Sequence, residues 1–295
     1  MKLAVFDDYL LGVVENDGRD IRDITPLLPR ELDSWARQRV NWAIRNWAEL
    51  EPAIHAGDGS VFAVDEVVLR AANPSPGQLI GLPSNFRTHV GEIGAMTVTA
   101  KGKTARDIGF FLIAPSSVSG AGEAFEIPSD SERRFDHECE VGVIIGKGGR
   151  DIPRESAMEH VFGYSALVDA TMRIVPEKAS EDRSLRKSFG RFTPLGPWIV
   201  TRDSIGDFET IESTLSVNGK ERQRARMADM IVSVPEAIEI ISSVVELNPG
   251  DVIASGTPGG VGPLEVGDTL VISVDRVGSM TIPVRSRPQA SARTW

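Results

Sequence analysis

Two glutamates stand at alternate positions in Arg134-Phe135-Asp136-His137-Glu138-Cys139-Glu140-Val141-Gly142-Val143-Ile144-Ile145-Gly146-Lys147. The apolar, β-branched second half, closed by Gly148-Gly149, predicts a strand entering a core. Side chains alternate across a strand, so Glu138 and Glu140 share one face and Cys139, Val141, Val143 and Ile145 the other. Carboxylates at this spacing lie about 6.5 Å apart. Their repulsion is about 0.6 kcal/mol in water but about 2.5 kcal/mol at an effective dielectric near 20. A wet strand face carries such a pair at little cost, whereas an enclosed one requires a cation.

Other segments could complete that site. Asp169 closes the apolar run 163–168, where it either caps the next turn or faces a ligand. With Glu138 and Glu140 it would make a hard oxygen set suited to Mg²⁺ or Mn²⁺, with Ca²⁺ compatible, rather than zinc. His89 and Glu92, three residues apart, share one face of a helix predicted over 86–93. A carboxylate hydrogen-bonded to an imidazole fixes its tautomer and raises its basicity, as a base acting on water requires; a plain surface pair has the same spacing. Arg173 and Lys187 either hold an anionic substrate or enolate, or stay solvated, and the charged segment 177–186 is expected to be mostly exposed. In Ser255-Gly256-Thr257-Pro258-Gly259-Gly260-Val261-Gly262-Pro263, the backbone at Gly256 and the Thr257 hydroxyl either approach an anion or form a simple turn. The spacing fits neither a Walker loop nor a dinucleotide fingerprint, so redox chemistry with a nucleotide cofactor has no support.

The elements that must position these groups are mostly strands. Residues 1–75 read as a small N-terminal α+β unit: strands at 3–6 and 10–14, then a helical stretch in which Leu32, Trp35, Val40, Ile44 and Trp47 form a packed face. Asn73-Pro74-Ser75-Pro76-Gly77 marks a boundary, and 76–295 reads as the second domain. There, 79–82 is a strand, Ser84 or Asn85 caps the helix carrying His89, and 97–109 has no clean period and reads as a loop. Short strands dominate from 110 onward, with Asn218-Gly219 the strongest hairpin signal and one helix built on Pro235, Ile238, Ile241, Val244 and Val245. This pattern argues for a mixed α/β, mostly β, closed or rolled body.

With 32 Lys+Arg against 42 Asp+Glu, the net charge of −10 argues against a nucleic-acid surface. Cys139 is the single cysteine, which suits a reducing cytoplasm, and its parity turns it toward the core as a packing residue. The acidic residues directly after Phe6 do not fit a signal peptide, and no apolar run is long enough for a membrane span.

Taken in order, these segments resemble the fumarylacetoacetate hydrolase family over residues 68–285. The resemblance is carried by Ile80-Gly81 through Glu92, the strand from His137 to Lys147 with Arg150, and Gly163-Tyr164 through Asp169 to Arg173. It continues in Lys187-Ser188-Phe189, Pro194-Leu195-Gly196-Pro197-Trp198, Val217-Asn218-Gly219 and Pro249-Gly250-Asp251-Val252-Ile253. The resemblance implies a rolled β-structure (a β-roll or barrel) with a smaller N-terminal domain, assembled as a homodimer. It further implies Glu138, Glu140 and Asp169 as ligands of Mg²⁺ or Mn²⁺, and His89 with Glu92 as the water-activating dyad. Lys187, Arg173, Thr257 and Gly256 would contact the substrate.

The implied activity is hydrolysis of C–C bonds in acylpyruvate- or fumarylacetoacetate-like 1,3-diketo or 2-oxo acids, in aromatic-compound catabolism. A 2-oxo acid decarboxylase, tautomerase or hydratase on the same metal is the enzymatic alternative, and a non-catalytic metal-binding protein a third reading. Departures gather on the substrate side: Phe86 replaces a usual tyrosine, Ile174 an aspartate, Pro176 a glutamine, Gly190 an aspartate, and Leu185-Arg186 a Trp- and Gly-type context.

Overall fold

The computed structural model describes residues 1–93, 102–129, 131–175 and 182–288. Their architecture is mixed α/β with more strand than helix, in three sheets. The largest runs from Val61–Ala63 through Asp20–Asp23, Leu10–Glu15, Lys2–Phe6, Thr193–Thr201, Val161–Val168, Cys139–Ile145, Val252–Ala254 and Leu79–Gly81 to Phe111–Ile113, with Val118–Ser119 paired to Thr193–Thr201. Each sheet order has two ends, so none closes into a barrel among the described residues.

The central strands Cys139–Ile145, Val161–Val168 and Thr193–Thr201 are buried at every position because both faces of this sheet are covered. Cys139, Val141, Val143 and Ile145 enter one core with Tyr164, Ala166 and Val168. Ile144 enters the other with Leu167, Leu195 and Ile199. The alternation expected of Cys139 holds: it is fully buried, and burial pushes its thiol up to about 12.

The N-terminal strands are continuous with this sheet, since Leu3 pairs with Ile199. The packed face expected of Leu32, Trp35, Val40, Ile44 and Trp47 is only partly realised. Trp42 and Trp47 pack against the core, but Trp35 is 71% exposed. Residues Arg30–Gln38 form a 3₁₀ segment with a break at Trp35, and three residues per turn rotates a stripe written for 3.6 off the core face.

Other expectations also meet the local geometry. The strand pair Glu212–Val217 and Lys220–Arg226 turns through Asn218 and Gly219, both at positive φ (52° and 76°), as a two-residue type I′ hairpin requires. The helix Val234–Ser242 ends before Val244, which is exposed. Within the stretch read as a loop, 97–101 lies outside the described residues, and Ala105–Ile108 is a helical turn closed by a Thr104–Asp107 capping box. Arg106 then docks it on the longer helix, donating to Glu236 Oε1 at 2.6 Å.

Gly163 sits mid-sheet opposite both Ile144 and Thr201, and a methyl group there would stand 2.2 Å from the Val200 carbonyl oxygen. Backbone on that side cannot move without shifting the strand. We expect Gly163→Ala to lower stability by about 1–3 kcal/mol, read as a drop in the urea midpoint at unchanged m-value.

Candidate active site

Antiparallel pairing assembles the carboxylates. Cys139 lies opposite Val168 and Glu140 opposite Leu167, so the next position outward sets Asp169 against Glu138. The Asp169 N–H donates to the Glu138 carbonyl at 3.0 Å, continuing the ladder. Glu138, Glu140 and Asp169 thereby present oxygens within 4.8 Å of one another, all buried. The cavity they face, about 390 Å³, is also lined by His89, Glu92, Phe111, Arg134, Asp136, Thr171, Arg173, Arg183, Arg186, Lys187 and Thr257.

Of the two alternatives open for Arg173 and Lys187, the structure leaves neither residue in solvent: both contact this cluster. Lys187 is buried on the short helix Arg183–Lys187, which Asp182 caps through the Ser184 N–H at 2.7 Å. Its Nζ donates to Glu138 Oε2 at 2.9 Å, to Thr171 Oγ1 at 2.7 Å and to Asp169. Arg173 bridges Asp136 Oδ2 at 2.6 Å and Glu138 Oε1 at 2.8 Å. Residues 177–181 of the charged segment lie outside the described residues, but Arg186 at its end is buried, against the expectation of exposure.

Asp136 was not singled out as a site residue. Its parity matches Glu138 and Glu140, and it takes Arg134 Nε at 2.6 Å as well as Arg173. That parity was the available signal.

Charge is not balanced among these groups. Burial would raise the Glu138 carboxyl, but Lys187 and Arg173 overcome it and hold the group well below the usual carboxylate range. Glu140 accepts one hydrogen bond, from the Gly256 N–H at 2.8 Å, and pairs with no cation among the described residues. Burial, reinforced by Asp169, pushes its carboxyl well up. Burial also lifts Asp169 to about 6 against the pull of Lys187, and its Oδ1 is buried with no hydrogen-bond partner. Two carboxylates 4.8 Å apart repel by about 3.5 kcal/mol at an effective dielectric near 20. An orphaned oxygen and an unpaired glutamate, both hard donors, fit a divalent cation of the Mg²⁺ or Mn²⁺ kind.

The base candidate approaches from the helix Arg87–Ile93. Asn85 does not cap it: the fully buried side chain donates to the Val232 and Ser255 carbonyls and accepts from the Val232 N–H at 2.8 Å, pinning the chain before the helix. His89 is buried, and burial keeps its pKa below the ordinary 6.5 despite the nearby Glu138 charge. Glu92 is not its hydrogen-bond partner. Its Oε2 stands 3.9 Å from His89 Nδ1, beyond hydrogen-bond range, because Oε1 accepts the Gly260 N–H at 2.7 Å.

The glycine loop therefore serves protein groups. Gly259 donates to Thr88, Gly260 to Glu92, and Gly256, expected to face substrate, donates to Glu140. Thr257 Oγ1 accepts from Gln223 Nε2 at 2.8 Å, which leaves its own hydroxyl proton for the cavity. Gln223, another residue without a sequence signal of its own, also accepts from the Cys139 N–H at 3.0 Å and, through the same oxygen, meets His137 Nδ1 at 2.8 Å. His137 thus points away from the carboxylates, as its parity requires.

The family model for the fumarylacetoacetate (FAA) hydrolase C-terminal domain matches residues 78–285. The chain belongs to the fumarylacetoacetate hydrolase family. Its relatives include a maleylpyruvate hydrolase of Aquipseudomonas alcaligenes, 38% identical across 97% of this chain and 100% of that protein. An oxaloacetate tautomerase, YisK of Bacillus subtilis strain 168, is 34% identical across 83% of this chain and 80% of its own. The crystal structure of maleylpyruvate hydrolase from Sphingobium sp. SYK-6 with manganese(II) and pyruvate superposes with a TM-score of 0.84 at 35% identity, covering 97% and 99% of the two chains.

Removing one oxygen donor should weaken the cation site without breaking an ion pair. For Glu140→Gln we expect a loss of more than about 100-fold in Mn²⁺ affinity by calorimetry, with the fold retained. Unchanged affinity would remove Glu140 from the donor set.

Proposed function

We propose that the chain is a divalent-metal-dependent hydrolase that cleaves a C–C bond of a 1,3-diketo or 2-oxo acid of the acylpyruvate or fumarylacetoacetate type, in aromatic-compound catabolism. The observation that carries this reading is the buried Glu138–Glu140–Asp169 cluster sharing one cavity with a histidine kept neutral by burial. The maleylpyruvate hydrolase relatives support the substrate class.

In this reading Glu138, Glu140 and Asp169 hold Mg²⁺ or Mn²⁺. When bound, the cation supplies Lewis acidity toward the oxo-acid oxygens. His89 takes a proton from water, whose oxygen adds to the distal carbonyl. The C–C bond then breaks, its electron pair leaves on the pyruvate fragment as an enolate, and the imidazolium returns its proton to that carbon. Glu92, 3.9 Å away, favours the imidazolium electrostatically rather than through a hydrogen bond. Lys187, whose three N–H groups go to Glu138, Asp169 and Thr171, orients the carboxylates and supplies positive charge beside the substrate. Arg173 offers its remaining N–H groups to the substrate's carboxylate or oxyanion, and the Thr257 hydroxyl donates beside them. Gly256 acts by fixing Glu140.

The wider expectations belong to the same reading. A rolled β-arrangement is supported by the contact of three sheets around 137–139, where Gln223 of the hairpin meets both neighbouring strands. A division near residue 75 is supported by the family match beginning at 78. Assembly as a homodimer rests on the family resemblance, and a cytoplasmic location on the single cysteine and the acidic residues after Phe6. A second reaction on this site, tautomerisation or decarboxylation of a 2-oxo acid, is favoured by the missing His89–Glu92 hydrogen bond and by the tautomerase relative.

Replacement of the base separates the two. His89→Ala should lower acylpyruvate hydrolysis about 10²- to 10⁴-fold, with products identified by chromatography, while sparing oxaloacetate tautomerisation or decarboxylation. An equal fall in both would show that His89 is not specific to water attack. The pH profile gives an independent check. A histidine whose folded pKa is lowered stays neutral further into acid, so the acid limb of kcat/KM should fall below pH 6.5. An acid limb at or above that value would count against His89 as the base.

A further inference from the structure

Five cationic side chains line the cavity: Arg134, Arg173, Arg183, Arg186 and Lys187. Arg134, Arg173 and Lys187 are each held by at least one carboxylate of the cluster. Arg186 donates to the Met172 carbonyl at 3.2 Å. Arg183 differs. Among the described residues its guanidinium makes no hydrogen bond and no ion pair, and it rests over the Phe111 ring, 5.2 Å from the centroid. Its chain neighbour Asp182 turns one carboxylate oxygen to the Ser184 and Leu185 amides and makes no ion pair with Arg183. Partial burial lowers the Arg183 pKa, with Glu138, Asp169 and Asp182 opposing the shift from a distance. A guanidinium drawn out of water without an anion is an unfavourable arrangement that a bound carboxylate would relieve.

Its place along the cavity says which carboxylate. Arg183 and Lys187 stand four apart on one short helix, a spacing that sets side chains on one face about 5–6 Å apart, and both lie against Phe111. Lys187 reaches the Glu138 and Asp169 end. Arg183 marks the wall one turn away from it. With its guanidinium carbon over the Phe111 ring, the N–H edge of its planar fork remains available for a bidentate carboxylate.

We propose that Arg183 binds a second carboxylate carried on the acyl arm of the substrate, so that dianionic 1,3-diketo acids are preferred to monoanionic acylpyruvates. This rests on the hydrolase reading above. Phe111 acts as a platform that orients the guanidinium, and Arg183 sets specificity through binding rather than bond cleavage.

The test compares two substrates on the metal-loaded protein: an acylpyruvate whose arm ends in a carboxylate, and one of equal length ending in a carboxamide. Wild type should favour the dianion about 10- to 100-fold in kcat/KM, mainly through KM. Arg183→Met should abolish that preference, and Arg183→Lys, which keeps charge but loses the fork, should restore part of it. A wild type that treats both substrates alike, or an Arg183→Met that keeps the full preference, overturns the proposal while leaving the hydrolase reading standing. Calorimetry with maleate, a four-carbon dicarboxylate, needs no turnover. Tighter binding by wild type than by Arg183→Met supports the subsite even if no substrate is hydrolysed, and equal binding counts against it.

Discussion

The structure depends on keeping Glu138, Glu140, Asp169 and Asp136 together out of water. Removing carboxylates from solvent is costly unless opposite charge or donors accompany them. Lys187 and Arg173 meet that demand for Glu138, Asp169 and Asp136, and the Gly256 amide meets part of it for Glu140. What remains uncompensated is at Glu140 and at one oxygen of Asp169. The same arithmetic that makes the cluster unfavourable by itself makes it selective for a small, doubly charged, oxygen-seeking ion.

Rigid and adjustable parts divide the work around that cluster. The carboxylates lie at the end of a strand pair with both faces packed, which fixes their separation. The histidine comes on a seven-residue helix held by the glycine loop through Thr88 and Glu92 and anchored before its first turn by Asn85. Glu92 gives one oxygen to the loop amide and holds the other 3.9 Å from the imidazole. The basicity of His89 and the docking of its helix therefore draw on two oxygens of the same carboxylate.

Much of this was legible in the chain. Strand parity alone separated Glu138 and Glu140 from Cys139, and the positive-φ demand of Asn218-Gly219 located the hairpin. Local pattern could not show which charges are buried. Lys187 and Arg186 sit in a stretch so polar that exposure is the natural expectation, and only their contacts across the sheet withdraw them. Trp35 shows the opposite error: an apolar period read at 3.6 residues per turn fails where the backbone winds at three. The roles of the glycine amides were likewise hidden, because a loop's N–H groups carry no side-chain signature of the partners that take them.

Gln223 joins the hairpin to the rest of the molecule. Its single amide contacts His137, Cys139, Thr257 and Pro258, while its neighbours Arg222 and Arg224 face solvent. A one-residue slip of that strand would send Gln223 outward and bring an arginine in. The register shifts once between the tip and Gln223: Leu215 pairs with Gln223 but Ser216 pairs with Glu221, leaving Arg222 as the extra residue of a bulge that sets the inward phase of Gln223. An arm that carries its own bulge can absorb a single extra residue on the solvent side, provided that Gln223 keeps its inward phase.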